Sequence, residues 1–262
     1  MERKAKIPFG NFFEQLGQVY DLAIKGFKAL FKRPFEKRNF IQQLEEIGVN
    51  SLPVVSLTAA FGGLVFGLQT YIALHRYVGP GSEAQGGSII AVGLCRELIP
   101  ILVGLMVAGR VGSSMTAEIG TMKITEQIDA LMSLGASPVG FLVAPRIIAS
   151  LIMVPCLTLY GDVISIFGGY AYNVIFMNVN HRLYIQNTLK YFEMGDVSAG
   201  LIKALVFGLV ISLVGCWQGL GAEGGAEGVG RATTKSVVVA SITILILNYF
   251  LSQMFELLQV GV

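Results

Sequence analysis

Five long apolar stretches, separated by short polar connectors, constrain the fold of this 262-residue chain more than any other feature. Each is close to the about 20 residues that an α-helix needs to cross the hydrocarbon core of a bilayer. They cover 48–74, 88–109, 143–175, 199–220 and 236–255. Because a backbone in lipid must satisfy its own hydrogen bonds, isolated apolar spans fold as helices. The sequence therefore predicts an all-α integral membrane protein with five transmembrane helices.

The composition supports a membrane location over a water-soluble domain. Hydrophobic residues make up 53% of the chain and charged residues 14%, whereas a soluble domain has about a quarter charged residues. This deficit of charge is too large for a surface that faces water. The net charge of +2 is too small to indicate nucleic acid binding.

The first 47 residues differ from the spans because they form an amphipathic region. Apolar residues recur there at helical spacing, and polar residues fall between them. The apolar positions are Phe12, Leu16, Val19, Ala23, Phe27 and Leu30, and the polar ones are Glu14, Gln18, Asp21, Lys25 and Lys28. Since these charges would be costly in hydrocarbon, we expect an interfacial amphipathic helix that ends at Pro34, followed by a second short helix over 35–47. The alternative is a helical hairpin packed on a partner protein, with the same domain boundaries of 1–47 and 48–262.

Lysine and arginine residues predict the orientation, because cytoplasmic loops of membrane proteins are enriched in them. With the N-terminus in the cytoplasm, that side collects Arg3, Lys4, Lys6, Lys25, Lys28, Lys32, Arg33, Lys37, Arg38, Arg110, Lys123, Arg146, Arg231 and Lys235. The outer side keeps Arg76, Arg182, Lys190 and Lys203, and Arg96 lies within a span. Five spans then place the C-terminus on the periplasmic side.

Small residues repeat every four positions on three of the spans. They are Gly200, Ala204, Gly208 and Ser212 on the fourth span, Gly104, Ala108 and Gly112 on the second, and Gly63 and Gly67 on the first. Such faces let helix backbones approach closely in lipid. We interpret them as packing faces within the bundle first and as dimerisation faces second.

The connector between the second and third spans, about 113–137, contains a predicted short amphipathic helix. Thr125 is placed to cap it. Its apolar side carries Ile128, Leu131 and Met132, and its acidic side carries Glu126 and Asp129. A helix of this kind in a cytoplasmic loop suits contact with a peripheral protein. The alternative, a connecting helix resting on lipid headgroups, is disfavoured because Glu118, Glu126 and Asp129 would be repelled by an anionic leaflet.

Four charged residues lie within the predicted spans, at similar depth: Arg96 and Glu97 in the second, Asp162 in the third and Lys203 in the fourth. A single charge facing lipid is costly, so we expect these two acids and two bases to neutralise one another. They form either a polar patch for a lipid headgroup or a structural ion-pair cluster. Both interpretations stay open for Asp162 and Lys203, and the functional one is favoured for Arg96 and Glu97.

Several signatures of chemistry are missing from the sequence. No G-x-x-x-x-G-K-[ST] motif occurs, so we expect no ATP site in this chain alone, and the glycine-rich stretch 219–230 is interpreted as a flexible turn. His75 and His181 have no partner at metal-ligand spacing. Cys95, Cys156 and Cys216 lie in separate apolar stretches, which predicts core residues. No nucleophile motif appears. An enzyme acting alone is therefore disfavoured.

Several motifs, in order along the chain, resemble those of the MlaE permease family. The longest is A-G-R-V-G-S-S-M-T-A-E-I-G-T-M-K-I-T-E-Q-I-D-A-L from Ala108 to Leu131, whose E-Q-I-D-A portion is similar to the family's E-x-x-D-A motif. The others are S-L-P-V-V at 51–55, G-L-Q-T-Y at 67–71, R-E-L-x-P at 96–100 and G-R-A-T-T at 230–234. The resemblance extends over about 34–240.

The resemblance implies a lipid transporter of several subunits. Its permease is a homodimer of five-span chains in the inner membrane of diderm bacteria, each with an interfacial N-terminal helix. A cytoplasmic ABC ATPase binds ATP and Mg²⁺, so no cofactor is expected in this chain, and a periplasmic MCE-domain protein caps the outer face. The dimer encloses a cavity for phospholipid that opens outward.

Residue roles follow from the same resemblance. The coupling helix that contacts the ATPase would be the segment Glu118 to Leu131, with Glu118, Gly120, Lys123, Glu126, Asp129 and Leu131 as its site residues. Arg96 and Glu97 match a charged pair near the lipid cavity, and Gln69 and Tyr71 would line it. The connector from His75 to Gly87 is longer than we expect for the family, which bears on how the MCE-domain protein docks.

Two other functions are compatible with part of the sequence. A secondary transporter would use Asp162 or Glu97 for proton coupling, but no internal repeat of spans is visible. A membrane anchor for a peripheral complex would gain nothing from charges inside the spans. The sequence leaves open the direction of transport and whether the lipid is a phospholipid or a sterol.

Overall fold

The structure is a computed structural model that describes residues 8–30, 37–79 and 81–260. Within those residues every regular element is helical, as predicted. The α-helices described are α1 (Pro8–Leu30), α2 (Lys37–Ile47), α3 (Leu52–Tyr77), α4 (Gly86–Gly93), α5 (Ile99–Val107), α6 (Ser113–Ile124), α7 (Gln127–Ser133), α8 (Ala144–Tyr170), α9 (His181–Tyr191), α10 (Met194–Leu220) and α11 (Gly225–Val260). The predicted helix end at Pro34 and helix start at residue 35 lie outside the described residues.

In the described part of the chain, five stretches of helix are long and apolar enough to cross a membrane, which confirms the predicted number of spans. They cover Arg38–Tyr77, Glu83–Ile124, Val139–Phe176, Met194–Leu220 and Gly225–Leu257. Short segments of 3-10 or π-helix join or extend the α-helices of the first three stretches and make them longer than predicted. The π-helical segments are Leu94–Leu98, Ala108–Gly112, Val139–Val143 and Ala171–Phe176. Such turns keep the backbone hydrogen-bonded, as lipid requires.

The polar connector 178–196 contains a helix, α9, that the sequence analysis missed. The Asn180 side chain starts this helix by accepting hydrogen bonds from the backbone N–H groups of Arg182 and Leu183. Tyr184, one turn into α9, is buried. Its ring lies against Gly87, at the start of α4. The connector is therefore ordered by packing on the end of the second span.

The glycine-rich stretch 219–230 is mostly helical and not a long flexible turn. Only the four positions 221–224 separate α10 from α11. Gly224 and Gly225 turn the chain there, with φ angles of +87° and +70° that other residues rarely adopt. The fifth span consequently begins about ten residues earlier than predicted.

Glycines determine how closely the central helices α3, α8 and α10 approach one another. A Cβ atom at Gly63 would collide with the Ser165 carbonyl, and one at Gly208 would lie 2.7 Å from the Ser150 carbonyl oxygen. Both glycines belong to the predicted small-residue faces. Their neighbours are in the same chain, so the predicted packing role within the bundle is confirmed.

The three cysteines, all within the described residues, are free thiols. Cys95 and Cys216 are buried, as predicted for core residues. The prediction is wrong for Cys156, which is exposed on α8. A thiol is small and weakly polar, so an outward position on a membrane span is tolerated.

Long apolar faces are exposed on α3 and α11. On α3, Leu57, Phe61 and Val65 are 63%, 59% and 55% exposed, and on α11 Tyr249 and Phe250 are 64% and 61% exposed. In a bilayer such a face meets lipid tails that are as apolar as itself, so it needs no covering to be stable.

The amphipathic helix α1 packs across the ends of α8 and α10. Val19 and Ala23 of its predicted apolar side pack against the bundle, while Phe27 is 39% exposed. On α10, the indole N–H of Trp217 donates to Gln18 Oε1 at 3.1 Å. Contact with the bundle thus fixes the position of this helix.

Candidate functional site

A group of charged side chains lies where the π-helical segment Leu94–Leu98 meets α10 and α11. The segment carries Arg96 and Glu97, and Pro100 follows at the start of α5. Proline has no N–H to donate to the carbonyl four residues earlier, which is that of Arg96. The Lys203 ammonium donates to this carbonyl at 2.9 Å. The altered helix therefore provides a polar anchor point inside an apolar span.

Lys203 is enclosed and fully paired. Its side chain is 0% exposed, and its Nζ also donates to Glu97 Oε2 at 2.7 Å and to Ser252 Oγ at 2.8 Å. Together with the Arg96 carbonyl, these acceptors match the three N–H bonds of an ammonium group. Gly200, nearly one turn earlier on α10, permits this approach, because a Cβ atom there would collide with the backbone of the π-helical segment.

Arg96 is held more loosely than Lys203. Its Nη2 donates to Glu256 Oε2 at 3.3 Å, and its Nη1 lies 3.8 Å from Asp196 Oδ1. Both distances exceed the about 2.7–2.9 Å that is usual for charge-assisted hydrogen bonds. We name Arg96, Glu97, Asp196, Lys203 and Glu256 the Arg96 cluster.

Two members of the cluster, Asp196 and Glu256, were missed by the sequence analysis. Each lies at the polar edge of an apolar stretch, where an acidic residue does not by itself indicate a functional site. Asp196 also accepts from the Glu193 backbone N–H at 3.2 Å, in a capping box that starts α10. The only sequence signal for Glu256 is its spacing of one turn from Ser252, which becomes informative once Ser252 is known to contact Lys203.

Asp162, the fourth charge predicted inside the spans, lies apart from the cluster. It is 5% exposed on α8, and its carboxyl group contacts the Cys95 thiol. Among the described residues its Oδ1 has no hydrogen-bond partner. The structure thus joins three of the four charges expected to neutralise one another and leaves Asp162 outside, since Lys203 pairs with Glu97 instead.

Gln69 and Tyr71, the candidate cavity-lining residues, lie on different faces of α3. Two residues correspond to about 200° of rotation around a helix. Tyr71 stacks on His75 at a ring distance of 5.9 Å and meets Tyr172 edge-on at 6.5 Å. Gln69 is exposed, one turn after Val65 on the apolar face of α3. Gln69, unlike Tyr71, therefore lies on the exposed apolar face of α3.

The predicted coupling segment is two helices, α6 and α7, with a sharp turn between them. Glu126 occupies this turn with a φ of +60°, which is uncommon for a residue other than glycine. The prediction that Thr125 caps the second helix is wrong. Thr125 ends α6, where its hydroxyl donates to the Thr121 carbonyl at 2.8 Å. The left-handed turn puts Glu126 at the cap position.

The two sides of α7 differ as predicted, apart from one residue. Ile128 is 4% exposed and packs toward the bundle, whereas Glu126 and Asp129 are exposed. Met132, expected on the apolar side, is 51% exposed. Lys123 Nζ lies 3.5 Å from Asp129 Oδ1 across the turn. The α7 region therefore exposes the acidic side chains of Glu126 and Asp129, with the apolar side chain of Met132 next to them.

Gly120 and Leu131, two further residues of the predicted coupling site, face the bundle. A Cβ atom at Gly120 would lie 3.2 Å from Ala222 and 3.3 Å from Val229, so this glycine lets α6 approach both the turn before α11 and the start of α11. Leu131 is partly buried against the same apolar core as Ile128. These two residues connect the segment to the spans and leave its acidic side outside.

Glu118, also predicted in the coupling segment, pairs with a buried arginine. Arg146 at the start of α8 is 1% exposed, and its Nη2 lies 2.6 Å from Glu118 Oε2. Its Nη1 donates to the Leu142 carbonyl at 2.7 Å. The sequence analysis used Arg146 only for orientation. The ion pair ties α6 to the third span.

Comparison with known proteins agrees with this architecture. Residues 40–254 match the family model described as Permease MlaE. A probable ABC transporter permease protein of Rickettsia conorii is 44% identical over 245 residues, which cover 94% of this chain and 93% of that protein.

Two more distant relatives have names that specify a pathway or a location. The intermembrane phospholipid transport system permease protein MlaE of Haemophilus influenzae is 34% identical over 248 residues, with 92% of each chain covered. The chloroplastic protein TRIGALACTOSYLDIACYLGLYCEROL 1 of Arabidopsis thaliana is 34% identical over 226 residues, which cover 86% of this chain and 64% of that protein. With the family model matching most of its length, the chain belongs to the MlaE permease family.

Proposed function

We propose that the chain is the membrane-spanning subunit of an ATP-driven phospholipid transporter in a bacterial inner membrane. It works as a homodimer with a separate cytoplasmic ABC ATPase and a periplasmic MCE-domain protein, and moves lipid between the inner membrane and the periplasm or outer membrane. The Arg96 cluster carries this proposal. A loosely held guanidinium at the end of an apolar bundle suits a phosphate group whose acyl chains extend along the spans.

The lipid pathway of the proposal combines this cluster with the exposed apolar faces. Arg96 contacts the headgroup, and the exposed faces of α3 and α11 from two copies surround the acyl chains. Gln69 lies on the α3 face, and Tyr71 lies nearer the end of the helix. Glu97 and Lys203 hold the π-helical segment in place, so their role in the pathway is to position Arg96.

In the proposed orientation the N-terminus is cytoplasmic and the C-terminus periplasmic, with α1 and α2 at the inner membrane surface. The bias of lysine and arginine supports it. It puts the Arg96 cluster near the periplasmic end and α7 at the cytoplasmic end, so cargo site and coupling surface lie on opposite sides.

The coupling step uses the acidic side of α7. The proposed contact residues are Lys123, Glu126 and Asp129, whereas Glu118, Gly120 and Leu131 connect the coupling segment to the spans. ATP and Mg²⁺ bind in the ATPase, and no catalytic residue is assigned to this chain. Closure of the ATPase moves α6 and α7, and the Glu118–Arg146 ion pair passes that movement to α8. Transport requires that the two resulting states differ in lipid affinity.

Purification of the tagged chain from its own host in mild detergent tests the proposal. Mass spectrometry of the preparation identifies proteins and lipids together. We expect an ATPase with Walker motifs, an MCE-domain protein and stoichiometric phospholipid. Recovery of the chain without any ATPase, even in the mildest detergent, would contradict the coupling role, and recovery without lipid would contradict the cargo.

A proton-coupled secondary transporter is the second candidate, because the buried carboxyl oxygen of Asp162 has no partner among the described residues. The two functions differ in their energy source. Transport that stops when a protonophore collapses the proton gradient, at unchanged ATP, would favour this candidate.

A further inference from the structure

We infer that the Arg96 cluster selects phospholipids whose headgroup carries an ammonium beside the phosphate over phospholipids with a purely anionic headgroup. The inference rests on the proposed function, since it takes the cluster to be the headgroup site. It follows from the accessibility of the five charged side chains and from the net charge of the cluster.

Of the two cations in the cluster, only Arg96 has capacity for a ligand. The Lys203 ammonium has its three N–H bonds directed at Glu97, Ser252 and the Arg96 carbonyl, and its side chain is 0% exposed. The Arg96 side chain is 19% exposed, and its contacts with carboxylates are 3.3 and 3.8 Å long. A guanidinium has five N–H donors in a planar fork that matches two phosphate oxygens. A phosphate therefore binds at Arg96.

The acids next to Arg96 are the second half of the site. Glu256 has a side chain that is 65% exposed, and Glu97 one that is 41% exposed. When a phosphate takes the guanidinium, the Glu256 carboxylate loses its cation. A headgroup ammonium restores that pairing, because it can occupy the position beside the carboxylate while its own phosphate stays on Arg96.

The charge of the cluster disfavours an anionic headgroup. Its three carboxylates and two cations leave a formal surplus of one negative charge, and a homodimer brings two such clusters. Because the Glu256 side chain is 65% exposed, water and salt screen part of this surplus, and the expected preference is correspondingly modest. A headgroup with a phosphate and no cation adds a like charge next to Glu256 and leaves that acid unpaired.

A lipid competition experiment tests the inference. The purified full chain, with the subunits that co-purify, is equilibrated in mild detergent with equimolar phosphatidylethanolamine and phosphatidylglycerol of identical acyl chains. Bound lipid is then quantified by mass spectrometry. We expect phosphatidylethanolamine to be enriched about two- to fivefold in the wild type, the range for a partly exposed ion pair. Glu256→Gln should reduce the ratio to near one, and Glu256→Lys should reverse it.

Glu227→Gln is the matched control. This glutamate lies on the same helix, has a side chain that is 83% exposed, and pairs with Arg231 far from the cluster. It should keep the wild-type ratio. Equal binding of both lipids by the wild type, or an unchanged ratio in Glu256→Gln, would overturn the headgroup selection while leaving the transporter proposal intact. A preparation that binds neither lipid would overturn both.

Discussion

Lys203 shows, at the scale of single residues, how a charge is tolerated deep in an apolar bundle. Its ammonium has a carboxylate, a hydroxyl and a carbonyl as acceptors. A buried ion is strongly destabilising when it loses its partner, whereas replacing both partners by neutral groups is often harmless. Removing one charge of the pair should therefore lower the stability more than removing both charges.

Glu97→Gln should lower the stability of the chain in detergent by about 2 kcal/mol, because it leaves a buried ammonium without a carboxylate. This value lies below the about 3–5 kcal/mol of a fully buried broken pair, because the Glu97 side chain is 41% exposed and water screens part of the interaction. Thermal unfolding measured by the accessibility of Cys95 and Cys216, both buried, reports the change.

The double variant Glu97→Gln with Lys203→Met provides the comparison, since it removes both charges and keeps the length of the lysine stem. It should recover most of the loss. A double variant that is less stable than Glu97→Gln alone would show that the ion pair is not the reason for the loss.

Gly208→Ala should also destabilise the chain, by about 1–3 kcal/mol, because the added methyl group meets the Ser150 carbonyl of α8. Gly230→Ala on α11 is the control, since a Cβ atom there has no neighbour within 4 Å among the described residues. Its stability should stay the same or rise slightly, as alanine favours helix. Equal losses for both variants, in the same unfolding assay, would contradict the packing argument.

At the scale of elements, the turn between α6 and α7 separates two functions of the connector. α6 is fixed to the bundle by the Glu118–Arg146 ion pair and by the close approach at Gly120. α7 presents Glu126 and Asp129 outward. A substitution at Glu118 would leave a buried guanidinium unpaired and test stability as much as coupling. The outward acids are the better probes.

Glu126→Ala combined with Asp129→Ala should uncouple ATP hydrolysis from lipid movement, because it removes the acidic surface proposed to contact the ATPase. Hydrolysis and lipid transfer are measured in the same reconstituted vesicles. We expect transfer per ATP hydrolysed to fall at least tenfold, the effect of losing about 1.4 kcal/mol of coupling.

The matched control is Glu223→Ala with Glu227→Ala, which makes the same change of charge at exposed positions in the turn after α10 and in the first turn of α11. It should transport normally. Normal transfer in the α7 variant would refute the coupling role of its acidic side.

At the scale of the whole molecule, the two ends of the five-span bundle carry different elements. One end has α7 and the turn between α10 and α11, and the other has α9 and the Arg96 cluster. The proposed orientation assigns the first to the cytoplasm.

Single cysteines test this orientation in a variant whose three native cysteines are alanine. Lys190→Cys on α9 should react with a membrane-impermeant maleimide in intact spheroplasts. Leu134→Cys, at a position that is 83% exposed after α7, should react only after permeabilisation. The reverse pattern would mean that the chain is inserted the other way round.

The spans could be predicted from the sequence because an isolated segment that crosses lipid must form its backbone hydrogen bonds within a helix. Any apolar stretch of sufficient length can do so. The α9 helix could not, because its stability comes from packing on Gly87 and not from its own hydrophobicity. Asp196 and Glu256 could not be placed in the cluster either. Which residues of different spans meet depends on the rotation of each helix, and the π-helical turns change that rotation in ways that a helical wheel does not represent.

Those turns have a consequence for insertions and deletions. A π-helical turn holds one residue more than an α-helical turn, and each residue rotates an α-helix by about 100°. Between Arg96 and Glu118 the second span contains the whole of Ala108–Gly112, a segment of that kind. Deleting a single residue there would turn α6 and everything attached to it relative to the cluster. The length of this span is consequently more constrained than the identity of its apolar residues, and natural variation in it should occur by substitution.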